Sequence, residues 1–259
     1  YPNAVLLERG RRMGVISAWL DGMRKALDSG ANYEYFVTMD GDGQHDPSTA
    51  PEMVRFAMEQ GADLVIGSRY VPGGDSSGFS PVRRIISRVA NTLFRLSFDA
   101  GVRDATSGYR VYSRRAVQYL LDHSPRNSGN TGGVEIVEIL HAAGMKIVEF
   151  PIRFRRRISG DSKLNAGEIW RYFVFVLMRG NLWKYALVGL SGVAVNEALL
   201  AALSARFGVY PLLADAVAVE SSILWNFVLN ELWTFRGRRL RRDLHGILRR
   251  AYMHNVASL

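Results

Sequence analysis

Two long apolar segments in the last third of the chain constrain its fold most. Residues 185–204 and 212–235 are each close to the ~20 residues that an α-helix needs to cross the hydrocarbon core of a bilayer. In the first segment only Asn196 and Glu197 are strongly polar. We therefore predict two transmembrane helices joined by a turn at residues 206–211. The alternative is a pair of buried core helices in a soluble protein.

The residues that follow the second apolar segment are strongly basic. Residues 236–250 contain seven arginines and one acid, whereas Arg206 is alone in the opposite turn. The positive-inside rule places such a basic loop in the cytoplasm, and two crossings return the chain to the side on which it began. We expect the part before residue 165 to face the cytoplasm, and residues 251–259 to begin a third span that the chain does not complete.

The net charge and the absence of cysteine limit the kinds of partner and the kinds of site that this chain can have. The formal net charge of +9 could indicate nucleic acid, but the arginines cluster beside the apolar segments and no nucleic-acid recognition motif accompanies them. A membrane surface is therefore a better candidate partner for these arginines than nucleic acid. Because the chain has no cysteine, disulfides, zinc–thiolate sites and cysteine nucleophiles are excluded.

Apolar runs before residue 165 alternate with stretches of helical periodicity, which is typical of an α/β protein. The sequence predicts a mostly parallel sheet of four or five strands covered by helices. The expected strands are residues 4–7, 35–39, 63–67 and 146–154. Pro151 indicates that the last strand lies at an edge or an irregular point of the sheet.

An acidic loop follows the strand at 35–39 directly. In open α/β sheets ligands bind at the carboxyl ends of strands, so Asp40 and Asp42 are placed where a ligand is expected. Two carboxylates this close can share a hard cation that takes its remaining ligands from phosphates and water. The alternative is a simple Asp-Gly turn. An EF-hand is excluded, because the loop has His45 and Pro51 where that motif requires glycine and glutamate.

Three further segments combine guanidinium, hydroxyl and carboxylate groups. They are residues 66–70 with a helix that begins at Pro81, the turn at 104–110, and the basic loop at 155–163. The density of donors at 155–163 suits phosphate oxygens. A solvated basic surface is the alternative for this loop and for the arginines of the helix that begins at Pro81.

Together these segments resemble the ordered motifs of family 2 glycosyltransferases of the dolichol-phosphate or polyprenol-phosphate mannosyltransferase type. The matching stretches are MDGDGQHDP at 39–47, IGSRY at 66–70, DATSGYR at 104–110 and RISGDSKL at 157–164. Residues 185–259 resemble the start of the membrane domain called GtrA-like, notably through YALVG at 185–189 and NELWTF at 230–235. The resemblance covers nearly the whole chain.

The resemblance implies an incomplete GT-A (Rossmann-like) domain at 1–164, an interfacial amphipathic helix at 165–180 and part of a GtrA-like transmembrane domain at 181–259. The implied reaction is the inverting transfer of a sugar to dolichyl or polyprenyl phosphate at the cytoplasmic membrane face. The preferred candidate for the sugar is mannose, with GDP-mannose as the donor. The implied ligands of a Mg²⁺ or Mn²⁺ ion are Asp40, Asp42 and Gln44. Asp104 is a third candidate catalytic residue, which would orient the sugar or the acceptor loop. The candidates for holding the acceptor phosphate are Arg69, Arg83, Arg84, Ser87, Arg157, Ser162 and Lys163.

The sequence departs from the family at both ends. We expect the first two strands of the fold, which hold the nucleotide base and ribose, and the last spans of the membrane domain to lie outside these 259 residues. We therefore expect these residues alone to bind a nucleotide-sugar donor poorly. Two alternatives stay open: transfer of glucose or an N-acetylhexosamine to polyprenyl phosphate, and a non-catalytic lipid-phosphate binder or translocation partner.

Overall fold

The computed structural model describes residues 4–98, 100–155 and 166–234. The chain divides into two compact units at residues 176 and 177. The first unit contains four strands, β1 (Tyr35–Thr38), β2 (Leu64–Ser68), β3 (Arg110–Ser113) and β4 (Ile147–Pro151). Its helices are α1 (Val15–Asp28), α2 (Ala50–Gln60), α3 (Pro81–Phe98), α4 (Arg114–Asp122) and α5 (Asn130–Ala142), and most of α6 (Ala166–Arg179) belongs to it.

The α/β class is confirmed, but the strand pairing differs from a mostly parallel sheet. The strand order is β1-β3-β2-β4, in which β3 is antiparallel to both neighbours and only β2 and β4 pair in parallel. The turn before β3 crosses the carboxyl ends of β1 and β2. There the Thr38 hydroxyl donates to the Gly108 carbonyl (2.9 Å) and the Gly67 amide donates to the Tyr109 carbonyl (2.8 Å). Strand β3 therefore begins at that edge and must run in the opposite direction.

Residues 4–7 do not form the expected strand. Val5 is 77% exposed and Leu6 is 83% exposed. Within the described ranges no strand pairs with this segment, and an extended segment without a partner strand leaves its amides and carbonyls to water. The predicted strand is therefore wrong for these residues.

Helices cover both faces of the sheet, as predicted. Side chains alternate between the faces along β2, so that Leu64 and Ile66 pack with α1, α3, α4 and α5, while Val65 packs with α2. All three side chains are fully buried. Strand β4 lies at an edge of the sheet, which is where Pro151 is tolerated.

Helix boundaries follow the local signals in the sequence. Asp46 accepts a hydrogen bond from the Ser48 amide at the 3₁₀ turn before α2, and Gly61 ends that helix with φ at 54°. A left-handed residue at this position is favourable for glycine because it has no Cβ. Pro81 begins α3, where its missing amide costs no helical hydrogen bond.

The second unit contains α7 (Leu182–Ala201) and α8 (Pro211–Leu229), each of which continues into a π-helical turn, at Ala202–Arg206 and Asn230–Thr234. Both helices are long and apolar enough to cross a membrane, and only 11% of each span is buried. The core helices of a soluble protein would be mostly buried, so this exposure favours the membrane interpretation. The basic residues 236–250 and the expected third span at 251–259 lie outside the described residues.

The two apolar helices pack closely against each other. A Cβ at Gly192 would overlap the side chain of Asn226, and the Trp225 indole donates to the Ser191 hydroxyl at 3.0 Å. Small residues allow helix backbones to approach in an apolar environment, and polar side chains can then bond across the pair. The α7–α8 pair has both features.

Candidate active site

A cavity of about 530 Å³ opens at the edge of the sheet where β1, β2 and β4 end. It lies within the first unit. Six of the residues proposed from the sequence line it: Asp40, Asp42, Gln44, Arg69, Arg83 and Ser87. The acidic loop and the basic residues therefore face the same space, although the sequence separates them by up to 47 positions, from Asp40 to Ser87.

The acidic loop is fixed to the segment that follows β4. The Gln44 side-chain amide donates to the Arg155 carbonyl at 3.2 Å, and the Arg155 amide donates back to the Gln44 carbonyl at 3.0 Å. The Gln44 amide also donates to the Asp42 carboxylate at 3.1 Å. These bonds hold Gln44 buried beside the two aspartates.

The oxygen donors of this loop fit a half-open cation site. Asp40, Asp42 and Gln44 provide two carboxylates and one amide oxygen on the cavity wall. The described part of the chain has no group of three or more His, Asp or Glu side chains that could enclose a metal ion. A cation such as Mg²⁺ commonly uses one or two carboxylates and completes its shell with substrate phosphates and water.

His45 contacts the backbone of the acidic loop and was not assigned a role from the sequence. Its Nδ1 accepts a hydrogen bond from the Asp40 amide at 3.3 Å, and its ring packs against Tyr109 and Phe154 at centroid distances of 5.0 and 5.3 Å. Burial lowers the pKa of His45 below its ordinary value of 6.5, and the nearby Asp40 only partly opposes this effect. The side chain therefore acts as a packed ring that accepts a hydrogen bond from the loop.

Arg69 and Asp104 form a buried ion pair. The Arg69 guanidinium donates to both Asp104 oxygens, at 2.7 and 2.6 Å, and the Arg69 amide donates to the same carboxylate at 2.9 Å. Burial alone would raise the pKa of Asp104, but the charge of Arg69 and the hydrogen bonds from Arg69 and Thr106 outweigh it and hold that pKa below 3.8. Asp104 is fully buried and is not part of the cavity lining. Its carboxylate lies behind the wall that Arg69 forms.

An aromatic side chain holds two guanidinium groups next to each other. The guanidinium carbons of Arg69 and Arg83 lie 4.7 and 4.4 Å from the centre of the Phe79 ring, distances typical of cation–π contacts. The Ser87 hydroxyl lies 3.5 Å from that of Thr106 on the same wall. Two positive charges and a hydroxyl thus share the wall opposite the acidic loop, an arrangement suited to an anion.

The other proposed phosphate-binding residues are not part of this wall. Arg84 lies on a different face of α3 and lines a separate hollow. Arg157, Ser162 and Lys163 fall outside the described residues, so the structure places none of them.

Two charged residues, the buried Arg110 and the partly buried Glu149, fix the turn at 104–110, and neither received a role from the sequence. Arg110 donates to the carbonyls of Ala105 (2.7 Å), Ser107 (2.7 Å) and Gly133 (2.6 Å), which ties the turn to α5. Glu149 accepts from the amides of residues 103 and 104 at 2.8 and 2.9 Å. Burial raises the pKa of Glu149 above its usual value, although these hydrogen bonds act in the opposite direction. Each of these residues is charged and lies within a strand, Arg110 in β3 and Glu149 in β4. A charged residue inside a strand was the signal that the sequence offered for them.

Comparison with known proteins identifies both units. Residues 1–121 match the family model of glycosyl transferase family 2, and residues 184–259 match the GtrA/DPMS transmembrane domain. The chain is therefore a membrane protein with an α/β catalytic-type domain.

Three curated relatives carry related names. The chain is 34% identical over 269 residues to a dolichol-phosphate mannosyltransferase of Pyrococcus furiosus, covering 100% of this chain and 71% of the relative. It is 34% identical over 164 residues to a polyprenol monophosphomannose synthase of Mycolicibacterium smegmatis, covering 63% and 61%. It is 32% identical over 179 residues to an undecaprenyl-phosphate mannosyltransferase of Micrococcus luteus, covering 69% and 72%. The chain belongs to the dolichol-phosphate and polyprenol-phosphate mannosyltransferases, which are family 2 glycosyltransferases.

Proposed function

We propose that the protein transfers mannose from GDP-mannose, with inversion, to dolichyl or polyprenyl phosphate. The names of its relatives support the sugar and the class of lipid acceptor. The observation that carries the proposal is the single cavity in which an acidic pair faces two guanidinium groups. Such a cavity can hold two anionic reactants at once when a cation on the acidic pair binds one of them and the guanidinium groups bind the other.

The acidic loop is the proposed site for the donor diphosphate. Asp40, Asp42 and Gln44 would hold a Mg²⁺ or Mn²⁺ ion, which would neutralise charge on the departing nucleoside diphosphate. Gln44 is anchored through Arg155, so the loop is held in position before a ligand arrives. Such preorganisation lowers the cost of aligning the reactants.

The basic wall is the proposed site for the lipid phosphate. Arg83, Arg69 and Ser87 contribute two positive charges and a hydroxyl, and Arg157, Ser162 and Lys163 remain further candidates from the sequence. A phosphate monoester has a second pKa of about 6, so it is largely dianionic at neutral pH. One of its oxygens attacks the anomeric carbon while the bond from that carbon to the diphosphate oxygen breaks. No general base is required.

Asp104 acts in this proposal as a positioning residue. It contacts Arg69 and not the cavity, so it fixes the guanidinium that the lipid phosphate meets. Arg84 has no role in the proposed acceptor site, because it faces a different hollow.

The proposed domain limits are 1–164 for the catalytic domain, 165–180 for an interfacial helix and 181–259 for the membrane domain. The burial of helix α6 supports the interfacial helix, since Phe175 and Val176 are buried while Trp170 is 65% exposed. Such a two-sided helix is typical of the membrane interface. The seven arginines at 236–250 support a multi-pass protein of the cell membrane whose catalytic domain faces the cytoplasm.

Mass spectrometry of lipid products tests the proposal. The full-length protein would be incubated with a short polyprenyl phosphate, Mg²⁺ or Mn²⁺, and GDP-mannose, UDP-glucose or UDP-N-acetylglucosamine in separate reactions. We expect a polyprenyl phosphate that gains one hexose from GDP-mannose. A product only from a UDP-sugar would contradict the proposed donor, and no product from any donor would favour the non-catalytic alternative.

A further inference from the structure

A second hollow lies on another face of α3, outside the candidate active site. Its volume is about 670 Å³. Five arginines line it, namely Arg69, Arg84, Arg88, Arg95 and Arg103, together with one carboxylate, Asp75. The hollow is therefore strongly cationic. Arg69 also lines the active-site cavity and so lies between the two spaces, whereas the other four arginines have no role in the reaction proposed above.

Helix α3 has three distinct faces. The side chains that line the second hollow are spaced as neighbours on one face: Arg84, Arg88, Asn91 and Arg95. Those that line the active-site cavity are Arg83, Ile86, Ser87 and Ala90. An exposed apolar stripe occupies the third face: Val82, Ile85, Val89 and Leu96, which are 54–67% exposed. At 100° per residue, the three faces are centred roughly 120° apart, so the apolar stripe adjoins the arginine face on one side and the active-site face on the other.

The charges in the hollow are largely uncompensated within the described part of the chain. Arg69 is paired with Asp104, but Arg84, Arg88, Arg95 and Arg103 form no ion pair with a described carboxylate. The Asp75 carboxylate accepts hydrogen bonds from the amide and hydroxyl of Ser77, at 2.8 and 2.6 Å. These bonds and, more weakly, the charge of Arg84 lower the pKa of Asp75, so this carboxylate offsets only part of the positive charge. Guanidinium groups collected around one concave surface repel each other unless an anion joins them.

Arg84 has a buried donor beside this hollow. Its Nε is buried and has no hydrogen-bond partner among the described residues. A terminal nitrogen of the same guanidinium makes one long hydrogen bond, to the Phe79 carbonyl at 3.4 Å. A buried donor without a partner costs about 1–3 kcal/mol, and a phosphate oxygen that reached into the hollow would relieve that cost.

We propose that this second hollow binds the phosphate of an anionic membrane phospholipid, separate from the acceptor lipid. Arginine forks match phosphate oxygens in geometry and charge. The exposed apolar stripe beside the hollow gives the acyl region of the same lipid an apolar surface to contact. A soluble phosphate would use the arginines but not the stripe, so the combination favours a lipid.

Native mass spectrometry of the full-length protein in detergent tests this site without any turnover. The probes are phosphatidylglycerol and zwitterionic phosphatidylcholine. The variant is Arg84→Gln/Arg88→Gln/Arg95→Gln, which removes three charges from one face of α3. We expect it to weaken phosphatidylglycerol binding at least about tenfold, the equivalent of one lost charge-assisted hydrogen bond, with no change for phosphatidylcholine.

Two control variants separate the site from general effects of charge and folding. Arg24→Gln/Arg55→Gln/Arg126→Gln removes the same charge from exposed positions on other elements and should bind phosphatidylglycerol as the unmodified protein does. Arg84→Lys/Arg88→Lys/Arg95→Lys keeps the charge on α3 and should retain most of the binding. Equal phosphatidylglycerol binding by the two glutamine variants would overturn the proposal.

A competition with sodium phosphate distinguishes the lipid from a soluble ion. We expect inorganic phosphate at millimolar concentration to displace phosphatidylglycerol only weakly, because it gains nothing from the apolar stripe. Full displacement at that concentration would identify a soluble-phosphate site and overturn the lipid assignment. Since no nucleotide sugar is present, failure here would leave the proposed transfer reaction untouched.

Discussion

Asp104 shapes the candidate active site without facing it. Both of its oxygens accept from the buried Arg69 guanidinium, and Asn91 donates to the same carboxylate at 3.3 Å. An aspartate in the loop between α3 and β3 is ambiguous in the sequence, because the pattern does not reveal whether the carboxylate points into the cavity or behind it. The type of residue at this site was thus predictable, but its orientation depends on the neighbouring Arg69.

The first prediction is that Asp104→Asn destabilises the protein strongly. The variant leaves the Arg69 charge buried without a carboxylate, which costs about 3–5 kcal/mol when one partner of a buried pair is removed. Chemical denaturation of the detergent-solubilised protein measures the change. As a control, Arg115→Gln breaks the exposed pair between Arg115 and Asp63 and should cost less than about 1 kcal/mol. Equal effects of the two variants would contradict the account.

The second prediction concerns acid stability. The pKa of Asp104 is lower in the folded protein than its ordinary value of 3.8, so the unfolded chain binds more protons in that range. The stabilisation from the Arg69–Asp104 pair is therefore fully present above about pH 4 and is lost as the pH falls through the lower folded value. The difference in unfolding free energy between the parent protein and Asp104→Asn should shrink as the pH is lowered below 4. A difference that stays constant or grows would refute this assignment.

At the scale of elements, the helices were easier to predict than the pairing of the strands. Asp46, Gly61 and Pro81 are local signals, and α2 and α3 have the boundaries that these residues indicate. Strand β3 has only four residues, and its direction follows from a long-range bond between Thr38 and Gly108. Local periodicity contains no information about such a bond, so the antiparallel insertion was not predictable.

The third prediction tests the close contact between α7 and α8. A Cβ at Gly192 would overlap the Asn226 side chain, whereas a Cβ at Gly189 meets no atom within 4 Å. Gly192→Ala should therefore destabilise the membrane domain by about 1–3 kcal/mol through overpacking. Gly189→Ala changes the same helix without a clash and should be neutral or stabilising by up to about 1 kcal/mol, because alanine favours a helix more than glycine does. Unfolding in mixed detergent micelles measures both, and identical midpoints for the two variants would exclude the packing shown here.

At the scale of the whole molecule, the family could be predicted from four motifs in order, and the comparisons confirm it. The sequence also indicated candidate binding side chains, but not which of them would line the same cavity. Arg83 and Arg84 are adjacent in sequence, yet a helix turns about 100° per residue, so they face different hollows. Only the packing of α3 on the sheet decides which arginine faces the active-site cavity.

The most direct test compares the two walls of that cavity in the full-length protein. Mannosyl transfer from GDP-mannose and binding of polyprenyl phosphate would be measured for Asp40→Asn/Asp42→Asn and for Arg83→Gln. The account predicts that the aspartate variant loses transfer by about 100-fold or more but still binds the lipid. It also predicts that Arg83→Gln weakens lipid binding about tenfold, as expected for one lost charge-assisted bond. Transfer that survives the loss of both carboxylates, or lipid binding that does not depend on Arg83, would contradict the central claim.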